Sequence, residues 1–76
     1  LELLKLLLKY CSEENGLAEK VIANTEDLRS ILEGEKKNMK VFTGWRKEIF
    51  GEMALSLLNG KLAFKIENGK IRKIDI

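Results

Sequence analysis

The spacing of the apolar residues changes once along this chain, and that change constrains its fold more than any other feature. Up to Asn59-Gly60 the apolar residues recur as they do on one face of an α-helix. From Leu62 onward they alternate with polar residues around Asn68-Gly69, a pattern typical of a β-hairpin with a type I′ turn. The sequence therefore predicts one domain over residues 1–76, with a helical part (1–60) and a hairpin (61–76).

The first helix is predicted over residues 1–15, where apolar side chains share one face. It ends at Gly16, because glycine readily adopts the left-handed conformation that closes a helix. A short helix of one or two turns is predicted within residues 16–23. The residues predicted to be buried on the first helix are Leu4, Leu7, Leu8 and Cys11.

Two further main helices are predicted before the hairpin. One begins at Asn24 or Thr25, either of which supplies a capping oxygen, and ends at Gly34. After a lysine-containing loop over residues 35–42, Thr43 is predicted to cap the last helix. The predicted fold is therefore mainly α, with three main helices plus one short helix, closed by a C-terminal β-hairpin. The apolar face predicted for the last helix comprises Trp45, Ile49, Met53, Ala54, Leu57 and Leu58.

Two places depart from a regular pattern. Gly51 lies inside the last helix, where glycine costs up to about 1 kcal/mol relative to alanine, so we expect another backbone segment to approach it closely. In the hairpin, a regular register places Lys73 opposite Phe64 on the apolar side. We therefore expect a β-bulge at Arg72-Lys73 that returns Ile74 to that side. The hairpin residues expected to pack against the helices are Leu62, Phe64, Ile66, Ile71 and Ile74.

The composition excludes most kinds of catalytic site. The chain has no histidine and a single cysteine, so it lacks the residues for a zinc site, a Cys-His pair or a Ser-His-Asp triad. Cys11 lies on the apolar face of the first helix and is interpreted as a buried, unreactive thiol. Glu48 and Glu52 share a helix face without a third ligand, which favours solvated carboxylates. We predict no catalytic residue, no metal and no cofactor, and no apolar run long enough to span a membrane.

Charge is distributed unevenly along the chain. Residues 1–35 carry four basic and eight acidic side chains, whereas residues 36–76 carry ten basic and four acidic ones. One interpretation is that the basic half contacts a polyanion. The alternative is that these charges only solvate the surface of the domain, which would produce the same uneven distribution. The start of the last helix adds amide donors for a phosphate. The predicted nucleic-acid-binding residues are Lys36, Lys37, Lys40, Arg46 and Lys47, and this surface would extend to Lys65, Lys70, Arg72 and Lys73 if they face the same side.

Trp45 has two interpretations. In phase with Ile49 and Met53, it belongs to the apolar face of the last helix. Beside Arg46 and Lys47, it would instead stack on a base of single-stranded nucleic acid. The helical period favours the core position, and the stacking role stays open.

Two stretches of the sequence resemble a known protein family. They are Val21-Ile22-Ala23-Asn24-Thr25-Glu26-Asp27-Leu28 and Gly44-Trp45-Arg46-Lys47-Glu48-Ile49-Phe50-Gly51. The chain resembles the C-terminal region of bacterial ribonuclease D proteins, especially the alphaproteobacterial type. In these proteins a helical domain related to the helicase-and-RNase-D C-terminal (HRDC) module follows the exonuclease. The likeness covers nearly the whole chain and is most specific at Gly-Trp-Arg-x-x-x-Phe-Gly.

The resemblance implies an accessory domain that helps hold RNA for a metal-dependent 3′–5′ exonuclease and is not itself an enzyme. The acidic metal-binding residues would lie in a catalytic domain upstream of Leu1. Because the chain lacks an initiator methionine and its first turn is already apolar, we expect it to be the C-terminal part of a longer protein. The lone cysteine and the absence of a signal-peptide pattern favour a cytoplasmic location.

The width of the first helix's apolar face supports a different hypothesis. Leu3, Leu6 and Tyr10 extend this face beyond the residues needed for one core contact. Large exposed apolar patches are typical of protein–protein contacts. The alternative is therefore a docking module that packs on its own catalytic domain or on a second copy of this chain.

Overall fold

The computed structural model describes residues 1–34 and 39–76, in which a series of helices precedes an antiparallel hairpin. The predicted fold class is confirmed. The predicted site residues Lys36 and Lys37 lie outside the described residues. The elements are α1 (Glu2–Asn15), α2 (Glu19–Ile22), α3 (Thr25–Leu32), a 3₁₀ turn (Lys40–Phe42), α4 (Gly44–Arg46), a π turn (Lys47–Gly51), α5 (Glu52–Leu58), β1 (Leu62–Glu67) and β2 (Lys70–Asp75).

Single residues at the helix ends determine where the first helices stop and start. Gly16 closes α1 with a φ of 63°, and its N–H donates to the Ser12 carbonyl. Asn24 and Asp27 form a capping box at the start of α3, in which each side chain accepts a hydrogen bond from the other's backbone N–H, at 2.8 and 2.9 Å. The predicted ends of these helices are confirmed.

Side chains from both halves of the chain form the hydrophobic core. α1 packs against α2, the π turn and α5, and α5 in turn packs against β1. The predicted buried face of α1 is confirmed, since none of its four residues is more than 5% exposed. The buried residues are Leu4, Leu7, Leu8, Cys11, Ile22, Ala23, Leu28, Ile31, Val41, Phe50, Ala54 and Leu62.

The last predicted helix differs from expectation because a π turn interrupts it. α4, the π turn and α5 are continuous, and together they are called the C-terminal helix (residues 44–58). A π turn holds about one residue more than an α turn, so the residues before it are rotated by about 100° relative to those after it. Phe50 is consequently buried (0% exposed), whereas Trp45 is 42% exposed. The predicted core position of Trp45 is wrong, and Phe50 occupies the core instead.

Gly51 lies where the 3₁₀ turn meets the C-terminal helix. A Cβ at this position would lie 2.1 Å from the carbonyl oxygen of Val41 and 3.1 Å from Cδ1 of Phe42. Only glycine fits at such a separation, so the predicted close approach of another backbone segment is confirmed. This contact attaches the 3₁₀ turn, and with it Lys40, to the C-terminal helix.

The predicted type I′ turn joins β1 and β2. Asn68 and Gly69 both have positive φ angles, 53° and 76°, as this turn requires. The register continues without interruption along both strands, so the predicted β-bulge at Arg72-Lys73 is wrong. The partners across the hairpin are Glu67 with Lys70, Ile66 with Ile71, Lys65 with Arg72, Phe64 with Lys73, Ala63 with Ile74 and Leu62 with Asp75.

The side chain of Lys73 explains why the hairpin needs no bulge. Lys73 stands opposite Phe64 with only 30% of its side chain exposed, and its ammonium nitrogen lies 3.9 Å from Asp75 Oδ1. Its aliphatic stem covers the apolar side while the charge stays at the edge. Ile66 and Ile74 are 80% and 38% exposed, so they do not pack against the helices as predicted. Of the hairpin residues predicted to pack against the helices, the ones that are buried or half-buried are Leu62, Phe64 and Ile71.

Candidate nucleic-acid interface

The described residues of the predicted site lie around the start of the C-terminal helix. Lys40 begins the 3₁₀ turn, Arg46 ends α4 and Lys47 begins the π turn. Backbone hydrogen bonds connect this segment through Thr43, whose N–H donates to the Lys40 carbonyl at 3.2 Å and whose carbonyl accepts from Lys47 N–H at 3.4 Å. Lys40 and Lys47 are exposed and Arg46 is half-buried.

The start of the C-terminal helix is not capped in the way that the sequence predicts. The Thr43 hydroxyl donates to the Lys40 carbonyl at 3.1 Å and does not cap the helix, so that predicted cap is wrong. Gly44, the first residue of this helix, has a φ of 58°. The phosphate site predicted at the amides of the helix start stays a prediction.

Two contacts hold Arg46 in place. Its Nε donates to the Val21 carbonyl at 3.0 Å, and its guanidinium carbon lies 4.3 Å from the centroid of the Trp45 ring. The second contact is within the range of cation–π attraction. Among the described residues, no hydrogen bond engages the Nη groups, so their donors are available to an external phosphate.

Lys40 lies near α3, whereas Arg46 contacts α2. Its Nζ lies 3.7 Å from Oδ2 of Asp27, the carboxylate of the capping box. The Lys40 side chain is 44% exposed, and surface ion pairs of this kind contribute about 0–1 kcal/mol. The three cations Lys40, Arg46 and Lys47, together with the neighbouring Trp45, are called the basic surface.

The cations of the hairpin make their ion pairs within the hairpin. Lys65 Nζ and Arg72 Nε lie 3.1 and 3.8 Å from the carboxylate of Glu67, and Lys73 pairs with Asp75. Lys65 and Arg72 share one face of the hairpin, whereas Lys73 lies on the other. No ion pair or hydrogen bond among the described residues joins them to the basic surface. The extension of that surface onto the hairpin stays a prediction.

The other chemically reactive groups of the described residues form no second site. Cys11 is fully buried as predicted, and burial raises the pKa of its thiol to about 11, so the nucleophilic thiolate is scarce at neutral pH. Glu48 and Glu52 are exposed. Residues 1–34 and 39–76 bring no three cysteine or acidic side chains close enough together to hold a metal ion. Within the same residues, every helix is too short or too polar to cross a bilayer.

An apolar groove between α1 and the hairpin is the other prominent surface feature. Leu3 and Ile66 line it and are 59% and 80% exposed. Tyr10, predicted to share the wide apolar face of α1, packs instead on Phe64, with ring centroids 6.1 Å apart and planes at 57°. The apolar groove includes Leu3, Leu6, Leu62, Phe64, Ile66 and Ile71.

Comparison with known proteins finds relatives along nearly the whole chain. The ribonuclease D of Bartonella henselae is 50% identical over 72 residues, or 93% of this chain. Those of Zymomonas mobilis and Nitrobacter hamburgensis are 46% and 43% identical, over 92% and 97% of this chain. This chain is homologous to ribonuclease D. It spans only 18%, 18% and 19% of the three ribonuclease D proteins, respectively, and corresponds to their C-terminal part. No family profile and no solved structure matches it.

The predicted resemblance to ribonuclease D is confirmed, and the structure separates the roles within the motif that carries it. Phe50 fills the core and Gly51 permits the contact with the 3₁₀ turn. Arg46 and Lys47 belong to the basic surface, where Arg46 is half-buried and Lys47 is exposed. Sequence reasoning missed the exposure of Trp45, although its neighbours in the chain, a glycine and two cations, are a signal for a surface position.

Proposed function

We propose that this chain is an HRDC-like accessory domain that binds RNA for a 3′–5′ exoribonuclease of the ribonuclease D type, in the cytoplasm. The homology supports this, because the chain corresponds to the C-terminal part of ribonuclease D proteins and to about a fifth of their length. In this proposal the metal-dependent catalysis takes place in another part of the same protein, to which this domain presents RNA.

The observation that supports RNA binding is the basic surface. Lys40, Arg46 and Lys47 extend from one hydrogen-bonded segment. Arg46 contacts Val21 in α2, and Lys40 lies near Asp27 in α3. Cationic surfaces bind the phosphate backbone without reading sequence, and salt weakens that binding. The residues proposed to contact phosphate are Lys36, Lys37, Lys40, Arg46 and Lys47.

Replacing Arg46 and Lys47 together with alanine is expected to weaken RNA binding and reduce its salt dependence. On a single strand, each phosphate contact contributes about 0.7 to the slope of log K against log salt concentration, so the double variant should lose about 1.4. The measurement is fluorescence anisotropy of a labelled single-stranded RNA over a series of KCl concentrations.

Two control variants separate site charge from other effects. Lys5→Ala with Lys9→Ala removes two exposed cations from α1 and should leave the slope unchanged. Lys47→Ala alone removes one positive charge and leaves the hydrogen bond between Arg46 and Val21 intact. An unchanged slope in the Arg46 and Lys47 double variant contradicts the proposed site.

The apolar groove favours docking as a second candidate function. Exposed apolar residues that lie together are typical of a contact surface, and Leu3 and Ile66 are such residues. The proposed partner is a second copy of this chain or the catalytic part of the same exonuclease. The sequence predicts self-association through Leu3, Leu6 and Tyr10. Because Tyr10 packs on Phe64, Leu3 and Leu6 are the residues proposed for that contact.

Under this second candidate, Ile66→Glu is expected to abolish association, because a carboxylate would be desolvated in the contact. The measurement is sedimentation equilibrium of the chain alone and mixed with the catalytic part of a ribonuclease D relative. Ile76→Glu is the matched control, since Ile76 is 77% exposed and does not line the groove. A monomer in both samples would rule out docking through the groove.

A further inference from the structure

Trp45 differs from the other aromatic residues in its surroundings. The chain has one tryptophan, one tyrosine and three phenylalanines, all within the described part. Phe50 is buried, Phe42 packs against the core, and Tyr10 packs on Phe64. Trp45 alone is exposed, at 42%. The largest aromatic side chain of this small domain therefore presents apolar ring surface to solvent, on the same surface as three cations.

The guanidinium beside the ring is already oriented. Arg46 Nε is fixed by its bond to the Val21 carbonyl, 25 positions earlier in the chain, and the guanidinium covers part of the Trp45 ring. A side chain held in this way loses little freedom when it binds a ligand. The exposed part of the indole ring and the Nη donors thus lie together as a flat apolar surface beside a fixed cation.

We propose that Trp45 and Arg46 form a binding site for one unpaired nucleotide, whose base stacks on the indole ring and whose phosphate contacts Arg46. This inference rests on the proposed RNA-binding function and narrows it to single-stranded RNA. Inside a duplex, each base is covered on both faces by its neighbours and cannot reach a protein ring. Aromatic stacking is tolerant of base identity, so the site accepts any of the four bases.

The single tryptophan makes the proposed stacking directly measurable. Trp45 is the only source of indole fluorescence in the chain. Titration with a single-stranded oligonucleotide is expected to quench this fluorescence, because the base contacts the ring. Heparin, a polyanion without bases, and an RNA duplex of equal length are expected to bind the cations without comparable quenching. Equal quenching by heparin and by single-stranded RNA would overturn the proposal.

Substitution of Trp45 tests the same contact by affinity. Trp45→Ala is expected to bind single-stranded RNA about tenfold more weakly, the loss expected for one stacked base, with the salt slope unchanged. Trp45→Phe keeps a ring and should retain most of the affinity. Ile76→Ala is the matched control, because it also removes an exposed apolar side chain, and it should bind as the original chain does.

The outcomes distinguish this inference from the function on which it rests. If Trp45→Ala binds normally while the Arg46 and Lys47 double variant loses affinity and salt slope, the domain binds RNA and the stacking site is wrong. If the original chain binds neither single-stranded RNA nor duplex, both the proposed function and this inference are wrong. Loss of affinity in Trp45→Ala with rescue by Trp45→Phe supports the inference.

Discussion

Replacing Gly51 with alanine is expected to destabilise the domain, although alanine is the better helix former. Helix propensity alone predicts a gain of about 1 kcal/mol in the free energy of unfolding. The new Cβ, however, would lie 2.1 Å from the Val41 carbonyl oxygen. Overpacking of this kind typically costs about 1–3 kcal/mol, and more where a backbone atom is in the way, so we expect a net loss of about 2 kcal/mol. The measurement is urea unfolding followed by far-ultraviolet circular dichroism.

A neighbouring variant controls for helix propensity. Glu52→Ala changes the next, exposed position of the same helix and is expected to alter the free energy of unfolding by less than about 0.5 kcal/mol. If Gly51→Ala instead unfolds at a higher urea concentration than the original chain, the close contact with Val41 is wrong. The 3₁₀ turn would then not be attached to the C-terminal helix through this glycine.

The ends of the elements were predictable because local chemistry decides them. Gly16 closes α1 through its own backbone conformation, and Asn24 with Asp27 caps α3 within one helical turn. Asn68 and Gly69 likewise form their turn without help from distant residues. In each case the residue type restricts the backbone locally. Such signals are present in the sequence itself.

The rotation of the C-terminal helix was not predictable in the same way. Counting with a period of 3.6 residues places Trp45 beside Ile49 in the core, and it overlooks Phe50. The π turn adds a residue, so that Phe50 is buried and Trp45 is exposed. The pattern of apolar residues in this sequence does not indicate such a turn. The regular hairpin register depended on tertiary packing too, because Lys73 covers the apolar side with its stem.

The charge count predicted a basic half but not which cations lie together. The partners of Lys40 and Arg46, Asp27 and Val21, both come from the acidic half of the chain. Contacts between residues so far apart in sequence depend on the fold. Arg46, which a hydrogen bond to Val21 holds in place, would lose less conformational entropy on binding a phosphate than a freely moving lysine.

Replacing Phe50 with alanine is expected to have the largest effect on stability. Phe50 is 0% exposed and is the largest of the fully buried side chains in the core. Removing a buried phenylalanine side chain costs about 3–5 kcal/mol, because apolar contacts are lost and a cavity remains. A core in a domain of this size rarely supplies more than about 3–5 kcal/mol of net stability. We therefore expect Phe50→Ala to be largely unfolded at room temperature by circular dichroism.

Trp45→Ala is the matched variant, because it truncates an aromatic residue in the same helix. Its expected loss is about 0.5–1 kcal/mol, the worth of an exposed cation–π contact with Arg46. A continuous α-helix predicts the reverse order, with Trp45 in the core and Phe50 less important. If Trp45→Ala unfolds the domain and Phe50→Ala does not, the π turn and the exposed base-stacking position of Trp45 are both wrong. Phe50→Leu, which keeps most of the buried volume, should stay folded and still bind RNA, since Phe50 contributes packing and no part of the basic surface.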